Sequence, residues 1–480
     1  MGSDWKTVAL ADISERIGDG LHGTPKYTED GGYYFVNGNN LESGTIVYKD
    51  STKRVSFDEY QKYKKELGNS TVLVSINGTI GNVALYNGEE VVLGKSACYI
   101  NLKAGISKEF IRYILSGYLF QEYIQRCSTG STIKNVSLKM MRDFTFRIPE
   151  SEKEQNKAVE LLKILDQKLN LNQQTNQTLE QMAQTLFKSW FVDFDPVFDN
   201  ALAKADFNLE NLPSTWPETL LQRATLRLQV LQDNPILKAK LTQQNLAVTE
   251  NNTALAQASQ AENTHQHFPS EFELTDEPSI GINGWIPKGW EEGKLSSVVK
   301  FSTDRIDDTK LTLDNYISTD NMLSNKAGVI QASKLPSIKM TPAFDEGHIL
   351  ISNIRPYFKK IWFATSSGGR SNDVLGFVAL DKQCNEYVLN LLFQDVFFDY
   401  MLATSKGSKM PRGDKTAIMD WNIVIPPNVI QKHYSNFVKD FYQANTIRTN
   451  ETGVLTKLRD TLLPKLISGE LEIPDVKKLR

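Results

Sequence analysis

The segment Gly88-Glu-Glu-Val-Val-Leu-Gly94-Lys95-Ser96 comes nearest in this sequence to a phosphate-binding loop, where glycines and a lysine cradle a nucleotide. Five residues separate its glycines where four are needed. Its flanks read strand to strand, without the helix whose N-terminus meets the phosphate, so a β-hairpin with an exposed lysine is expected. Asp195-Pro-Val-Phe198 approaches the Asp-Pro-Pro-Phe type of motif of amino-methyltransferases, but the second proline is missing. No glycine-rich turn for a methyl donor accompanies it, and it is expected simply to end a helix. His265 and His267 lack a third metal ligand. Asp307-Asp308 and Glu89-Glu90 read as solvated loop residues rather than acid/base couples. No catalytic group and no metal site is expected; the chain reads as a binder.

Polar side chains concentrated in loops are what remains. The first half carries His22, Thr24, Lys26 and Tyr27 in one loop, Asn39 and Asn40 in a second, and Asn77 and Thr79 in a third. The second half carries Asn321, then Asn353, Arg355, Tyr357 and Lys359, then Arg370 and Asn372. Asparagine and arginine match the hydrogen-bonding edges of adenine and guanine, and lysine and threonine suit phosphate oxygens. The same residue types also fill ordinary turns, so composition alone does not assign them to DNA.

Such loops need a frame, and self-comparison supplies one. Ser128-Thr-Gly-Ser131 recurs as Ser405-Lys-Gly-Ser408, Ile148-Pro149 as Ile425-Pro426, and Val72-Leu-Val-Ser75 as Ile349-Leu-Ile-Ser352, each 277 positions on. Leu179-x-x-Met182-x-x-Thr185-Leu186 answers Leu455-x-x-Leu458-x-x-Thr461-Leu462 at 276, and Trp5 answers Trp290 at 285. Matches in this order mean a tandem duplication. Each copy begins with strand-like alternation between Gly/Asn turns and ends at Ile-Pro, after which a long helix is expected.

Leu162, Leu165, Leu169, Leu179 and Leu186 form a heptad-like seam around polar Asn172 and Asn176. Phe437, Phe441, Leu455, Leu458 and Leu462 form another around Arg448 and Glu451. Matched seams with polar centres favour pairing of the two helices with each other, against the alternative of each packing on its own domain. The expected fold is mixed α/β. Two similar domains, residues 1–149 and 281–427, are joined by long helices in 150–196 and 428–480 forming an antiparallel coiled coil of pseudo-two-fold character. Residues 197–280 read as a polar, acidic connector, helical over Leu220–Gln260 and linker-like over Ala261–Phe272.

Charge is averaged over unlike regions. The net −3 contains a local excess in 197–280, with 5 basic and 11 acidic residues. Residues 1–149 hold 18 and 16, and residues 281–427 hold 17 and 16, so charge neither supports nor excludes nucleic acid. Apolar runs are a few residues long, far short of the ~20 a membrane helix needs. The start, Met1-Gly-Ser-Asp-Trp5, lacks the basic and apolar character of a secretory signal. Cys98, Cys127 and Cys384 are too scattered for a disulfide framework or zinc cluster. A cytoplasmic protein without membrane partners is expected.

Four segments resemble one known family: Gly18-Asp-Gly-Leu-His22-Gly-Thr-Pro25-Lys-Tyr27, Leu179 to Asp195 with its Lys-Ser-Trp-Phe-Val-Asp-Phe-Asp end, Gly284-Trp-Ile-Pro-Lys-Gly-Trp290, and Leu458-Arg-Asp-Thr-Leu-Leu-Pro-Lys-Leu-Ile-Ser-Gly-Glu-Leu471. The sequence is similar over nearly its whole length to specificity subunits of type I restriction–modification systems. The resemblance implies two target recognition domains, each reading one half of a bipartite, asymmetric double-stranded DNA site. It also implies two modification (methyltransferase) and two restriction (translocase–nuclease) partner subunits carrying S-adenosylmethionine, ATP and Mg chemistry, with no cofactor on this chain. A seam over residues 155–188 would be ~50 Å long, enough to space readers about one ~34 Å helical turn apart or slightly more. Two other readings stay open: the DNA-recognition subunit of a two-component type II enzyme, and a coiled-coil adaptor that binds protein.

Overall fold

The computed structural model describes residues 5–42, 44–128, 134–249 and 264–472. The chain divides into two compact units, Met1–Gln173 with Thr449–Arg480, and Gln174–Arg448. The repeated Ser128–Ser131 motif of the first copy lies largely outside the described residues, as do parts of the 220–260 and 261–272 segments.

Strands of the first unit include β1 (Trp5–Ala9), β2 (Ser14–Asp19), β3 (Tyr33–Val36), β4 (Thr71–Ser75), β5 (Val83–Leu85), β6 (Val91–Leu93), β7 (Ala97–Leu102) and β8 (Thr145–Pro149). An antiparallel sheet runs in the order β2-β7-β4-β5; β1 pairs with β8, and β6 runs parallel to β3. The expected hairpin of Val91–Leu93 with the following strand does not form, because these strands belong to different sheets. All five residues of β4 are buried, with apolar Val72, Leu73 and Val74 at its centre, since both its faces are covered. Val72 and Val74 join Cys98, Ile100, Phe110 and Ile114 in one core, while Leu73 joins Val36, Leu93 and Tyr99 in another.

The second unit repeats this plan with β9 (Glu291–Lys294), β10 (Val299–Phe301), β11 (Tyr316–Ile317), β12 (Ile349–Ser352), β13 (Ile361–Phe363), β14 (Gly368–Arg370), β15 (Val374–Ala379) and β16 (Asn422–Ile425). Its antiparallel sheet has the equivalent order β10-β15-β12-β13, β9 pairs with β16, and β14 runs parallel to β11. Register repeats too: Ala97 faces Ser75 and Val374 faces Ser352.

Two long helices follow the sheets, α1 (Glu152–Phe191) and, at the far end of the chain, Asn428–Ser468. Within the first unit Asp166 meets Arg459 at 3.4 Å and Asn172 Nδ2 donates to Glu451 at 2.8 Å. Within the second, Asn176 Nδ2 reaches the Asn445 carbonyl at 3.4 Å and the Tyr434 hydroxyl donates to the Ala183 carbonyl at 2.8 Å. Partner numbers fall as α1 numbers rise, so the segments are antiparallel in each unit. The polar positions Asn172 and Glu451 of the two seams thus meet within the first unit, and Asn172, 1% exposed, is a buried polar group of the kind that fixes register. Val159 and Leu162 lie in the first unit's core with Leu466 and Ile467, and Leu165 and Leu169 are buried. Leu179, Leu186, Phe441, Leu455 and Leu462 are half-buried. Leu458 and Phe437 depart from the expected seam at 43% and 53% exposure; Tyr434, Val438 and Leu466 take the inward positions.

Each globule's leading tryptophan packs on the end of the long helix from the other copy. A Cβ on Gly469 would sit 2.6 Å from the Trp5 ring. Trp290 lies 6.0 Å from Phe191 and edge-on to Phe194 at 5.6 Å.

Residues 197–280 are more than a polar tether. Helices α2 (Asp195–Lys204), α3 (Glu218–Asp233) and α4 (Pro235–Thr249) bury Phe198, Leu220, Ala224, Leu231 and Leu241 in the second unit's core. Asp195-Pro196 opens α2 rather than ending α1. Asp199 is fully buried, gripped by Arg227 at 2.6 and 2.8 Å and by His265 Nε2 at 3.0 Å. Burial would raise the Asp199 carboxyl pKa, but the bound guanidinium and imidazole hold it below its ordinary value. Pro426 and Pro427 separate Asn422–Ile425 from the last long helix, α5 (Asn428–Ser468).

Candidate nucleic-acid interface

In the first unit three polar loops converge on Gly94-Lys95-Ser96. Leu21 N donates to the Leu93 carbonyl at 2.7 Å and Ile76 N to the Ser96 carbonyl at 2.9 Å. Ser96 Oγ donates to Asn37 Oδ1 and accepts from Gly38 N, both at 2.9 Å. Gly94 is required by this closeness, since a Cβ there would stand 2.2 Å from Asn37 Oδ1. Lys95, exposed, stands in the middle. A fourth segment joins from the end of the globule: Gly78 N donates to the Lys134 carbonyl at 3.0 Å and Val136 N to the Ile76 carbonyl at 2.9 Å.

The second unit builds the same tip. Asn353 N donates to the Asp373 carbonyl at 2.8 Å, Arg355 N to the Pro411 carbonyl at 2.8 Å and Gly413 N to the Asn353 carbonyl at 3.1 Å. Each of these bonds is its first-unit counterpart displaced by 277 positions. Three tip positions thus correspond: Gly78 with Arg355, Lys95 with Asn372, and Asn135 with Arg412. Backbone geometry is shared and side-chain chemistry is not.

The type I restriction modification DNA specificity domain profile matches residues 2–181 and 287–457. The chain belongs to this family. It is 25% identical to the type I restriction enzyme HindI specificity subunit of Haemophilus influenzae, covering 98% of this chain and all of that one. It is 23% identical to the MjaIX specificity subunit of Methanocaldococcus jannaschii, covering 98% and 95%. Among solved structures, the type I S subunit of M. genitalium superposes with a TM-score of 0.49 at 15% identity, over 98% of this chain and 97% of that one. Among the described residues, no helix is long and apolar enough to cross a membrane, and no cluster of His, Cys, Asp and Glu could hold a metal.

For this specificity-family chain the loop residues expected to read DNA fall in several environments. Thr24, Lys26, Tyr27, Asn39, Thr79, Tyr357 and Asn372 are exposed, as is His22, whose Nε2 lies 2.7 Å from Asp19 Oδ2. Asn77 is half-buried against Asn135, and Lys359 is paired with Asp395 at 3.0 Å. Three others are spent inside the fold. Asn40 accepts from Asn37 N and donates to the Val47 carbonyl and Thr52 Oγ1. Asn321 Oδ1 accepts from Ser318 N while its Nδ2 donates to the Tyr316 and Ile330 carbonyls. Arg370 is 6% exposed and donates to the Val374 and Ser302 carbonyls. Burial lowers its guanidinium pKa to about 10. These three hold turns together, so their expected place among the readers is corrected.

Arg355 stands out for the opposite reason. Its φ of 52° is left-handed, as is the 75° of its counterpart Gly78. A non-glycine residue there costs roughly 1–2 kcal/mol, which the first copy avoids. Among the described residues, the buried polar atoms lacking a hydrogen-bond partner include its own Nε together with Asn353 Oδ1, Ser371 Oγ and Arg370 Nε. Sequence types alone missed Lys95, Asn135 and Arg412. Extending the 277 offset to single residues would have aligned them with Asn372 and with each other.

Proposed function

We propose that this chain is the DNA-reading subunit of a type I restriction–modification complex and has no catalysis of its own. Each unit reads one half of a bipartite, asymmetric duplex site through its tip, while α1 and α5 set the spacing and dock two methyltransferase and two restriction subunits. S-adenosylmethionine, ATP and Mg²⁺ are assigned to those partners, and each target adenine is flipped into a partner's pocket. The complex works in the cytoplasm. The observation that carries this reading is the pair of tips with one backbone design and different side chains, as expected of readers of two unlike half-sites.

The test is co-expression with the cognate methyltransferase, followed by sequencing of methylated adenines and gel shift. A bipartite, unlike pair of half-sites is expected, with affinity falling as salt rises through phosphate contacts. Absence of DNA binding would favour the protein-binding adaptor. Restriction without an ATP-dependent translocase partner would place the chain in a two-component type II enzyme.

A further inference from the structure

We infer that the second unit's half-site carries guanine where Arg355 and Arg412 meet it, and that the first unit makes no guanidinium contact at the corresponding positions; this rests on the DNA-reading function proposed above. The correspondence is fixed by backbone hydrogen bonds, so the comparison is position by position. At one position the first unit has Gly78, whose added Cβ would meet nothing within 4 Å. The backbone there needs only a residue that tolerates a left-handed turn, and the second unit nevertheless carries arginine. That choice is explained by the side chain rather than by the fold.

The surroundings favour a ligand with hydrogen-bonding edges. Asn353, 7% exposed, keeps its Oδ1 without a partner, and so do Arg355 Nε and Ser371 Oγ. Buried polar atoms in this state are satisfied by an arriving group or by water. Arg412 is held from both sides by β-bridges to Ile354 and Lys406, and its side chain is 56% exposed. Its Nη2 rests on Asp373 at 3.3 Å, which orients the fork. A planar guanidinium matches O6 and N7 of guanine with two parallel bonds. Lys95 is a point charge that suits phosphate as well as base, and the Asn135 amide matches adenine.

The competing role for both arginines is clamping phosphate, and one experiment separates the two. The full chain, co-expressed with its methyltransferase partner, selects from a randomised duplex pool as wild type, as Arg355→Gly and as Arg412→Lys. Glycine already fills this turn in the first unit, and lysine keeps the charge, so both variants retain the fold. Wild type is expected to select guanines in one half-site. Each variant should lose preference at one guanine by roughly ten- to a hundredfold, both losses in the same half, with the other half unchanged. A selected site whose guanine preferences survive in both variants would overturn the inference while leaving the proposed function standing. Equal weakening on every sequence would also overturn it, by making the arginines phosphate clamps. A wild-type complex with no sequence preference would overturn both.

Discussion

Leu162 and Leu458 were expected on matching seams, and their environments separate them. Leu162 is fully buried in a core that includes Val159, Leu466 and Ile467 as well as the sheet-packing residues Phe110 and Ile114. Truncation to alanine leaves a cavity that neighbours from three elements cannot all collapse into, at a cost of about 2–5 kcal/mol. Leu458 is 43% exposed. Its truncation removes groups that are already partly wetted and gains helix propensity, so the net change is within about 1 kcal/mol. Melting of a two-unit chain is not a two-state process, so amide hydrogen exchange in Ala97–Leu102, at the heart of the first unit, is the better readout. Leu162→Ala should accelerate it about thirtyfold to several-thousandfold, and Leu458→Ala by less than about tenfold. The second unit's strand Val374–Ala379 serves as internal control. Equal acceleration by the two substitutions, or none from Leu162→Ala, would refute the placement of α5 as a wall of the first unit.

Asp199→Asn leaves Arg227 buried against a neutral amide, and unfolding of α3 should become easier by about 3–5 kcal/mol, read by exchange or proteolysis within Glu218–Asp233. The Asp199 carboxyl pKa is lowered in the folded state, so its contribution is present above the unfolded value near pH 4 and lost as pH falls through the folded one. Wild-type α3 should therefore loosen in acid, and the Asn variant should show less of that dependence. Arg370→Ala should destabilise the second unit by several kcal/mol, since it strands the Val374 and Ser302 carbonyls, whereas Tyr357→Ala should leave stability within about 1 kcal/mol and weaken DNA binding; melting curves beside gel shifts distinguish them. A thiol reagent should modify Cys127 in the native protein and spare Cys98 and Cys384, both buried, with the Cys384 thiol pushed up to about 11 by burial; labelling followed by peptide mass mapping checks this.

Much of the architecture could be read from the sequence because the duplication is regular. One offset of 277 aligned the strands, the terminal Ile-Pro pairs and the Ser-x-Gly-Ser motif, and Asn172 with Glu451 marked the polar centre of the helix pair. Leu458 and Phe437 were misplaced because a strict heptad drifts about the axis of a 41-residue helix, which turns other residues inward. The loops hid more. Asn40, Asn321 and Arg370 have the same residue types as base readers, and only their partners show that they tie turns instead. In residues 197–280 a polar composition masked the inward face of Leu220, Ala224 and Leu231, and the Asp199–Arg227 pair joins residues that no short motif would connect.

The packing of Trp5 against Gly469 and of Leu162 beside Leu466 has a consequence for synthesis. The first globule's strands leave the ribosome early, yet the wall that covers them belongs to the closing stretch of the chain. At about 5–20 residues per second the gap is tens of seconds, during which Val159 and Leu162 lack the part of their cover that Leu466 and Ile467 supply. A premature stop shortly after Arg448 would accordingly spare the later-made reader and cripple the one translated first.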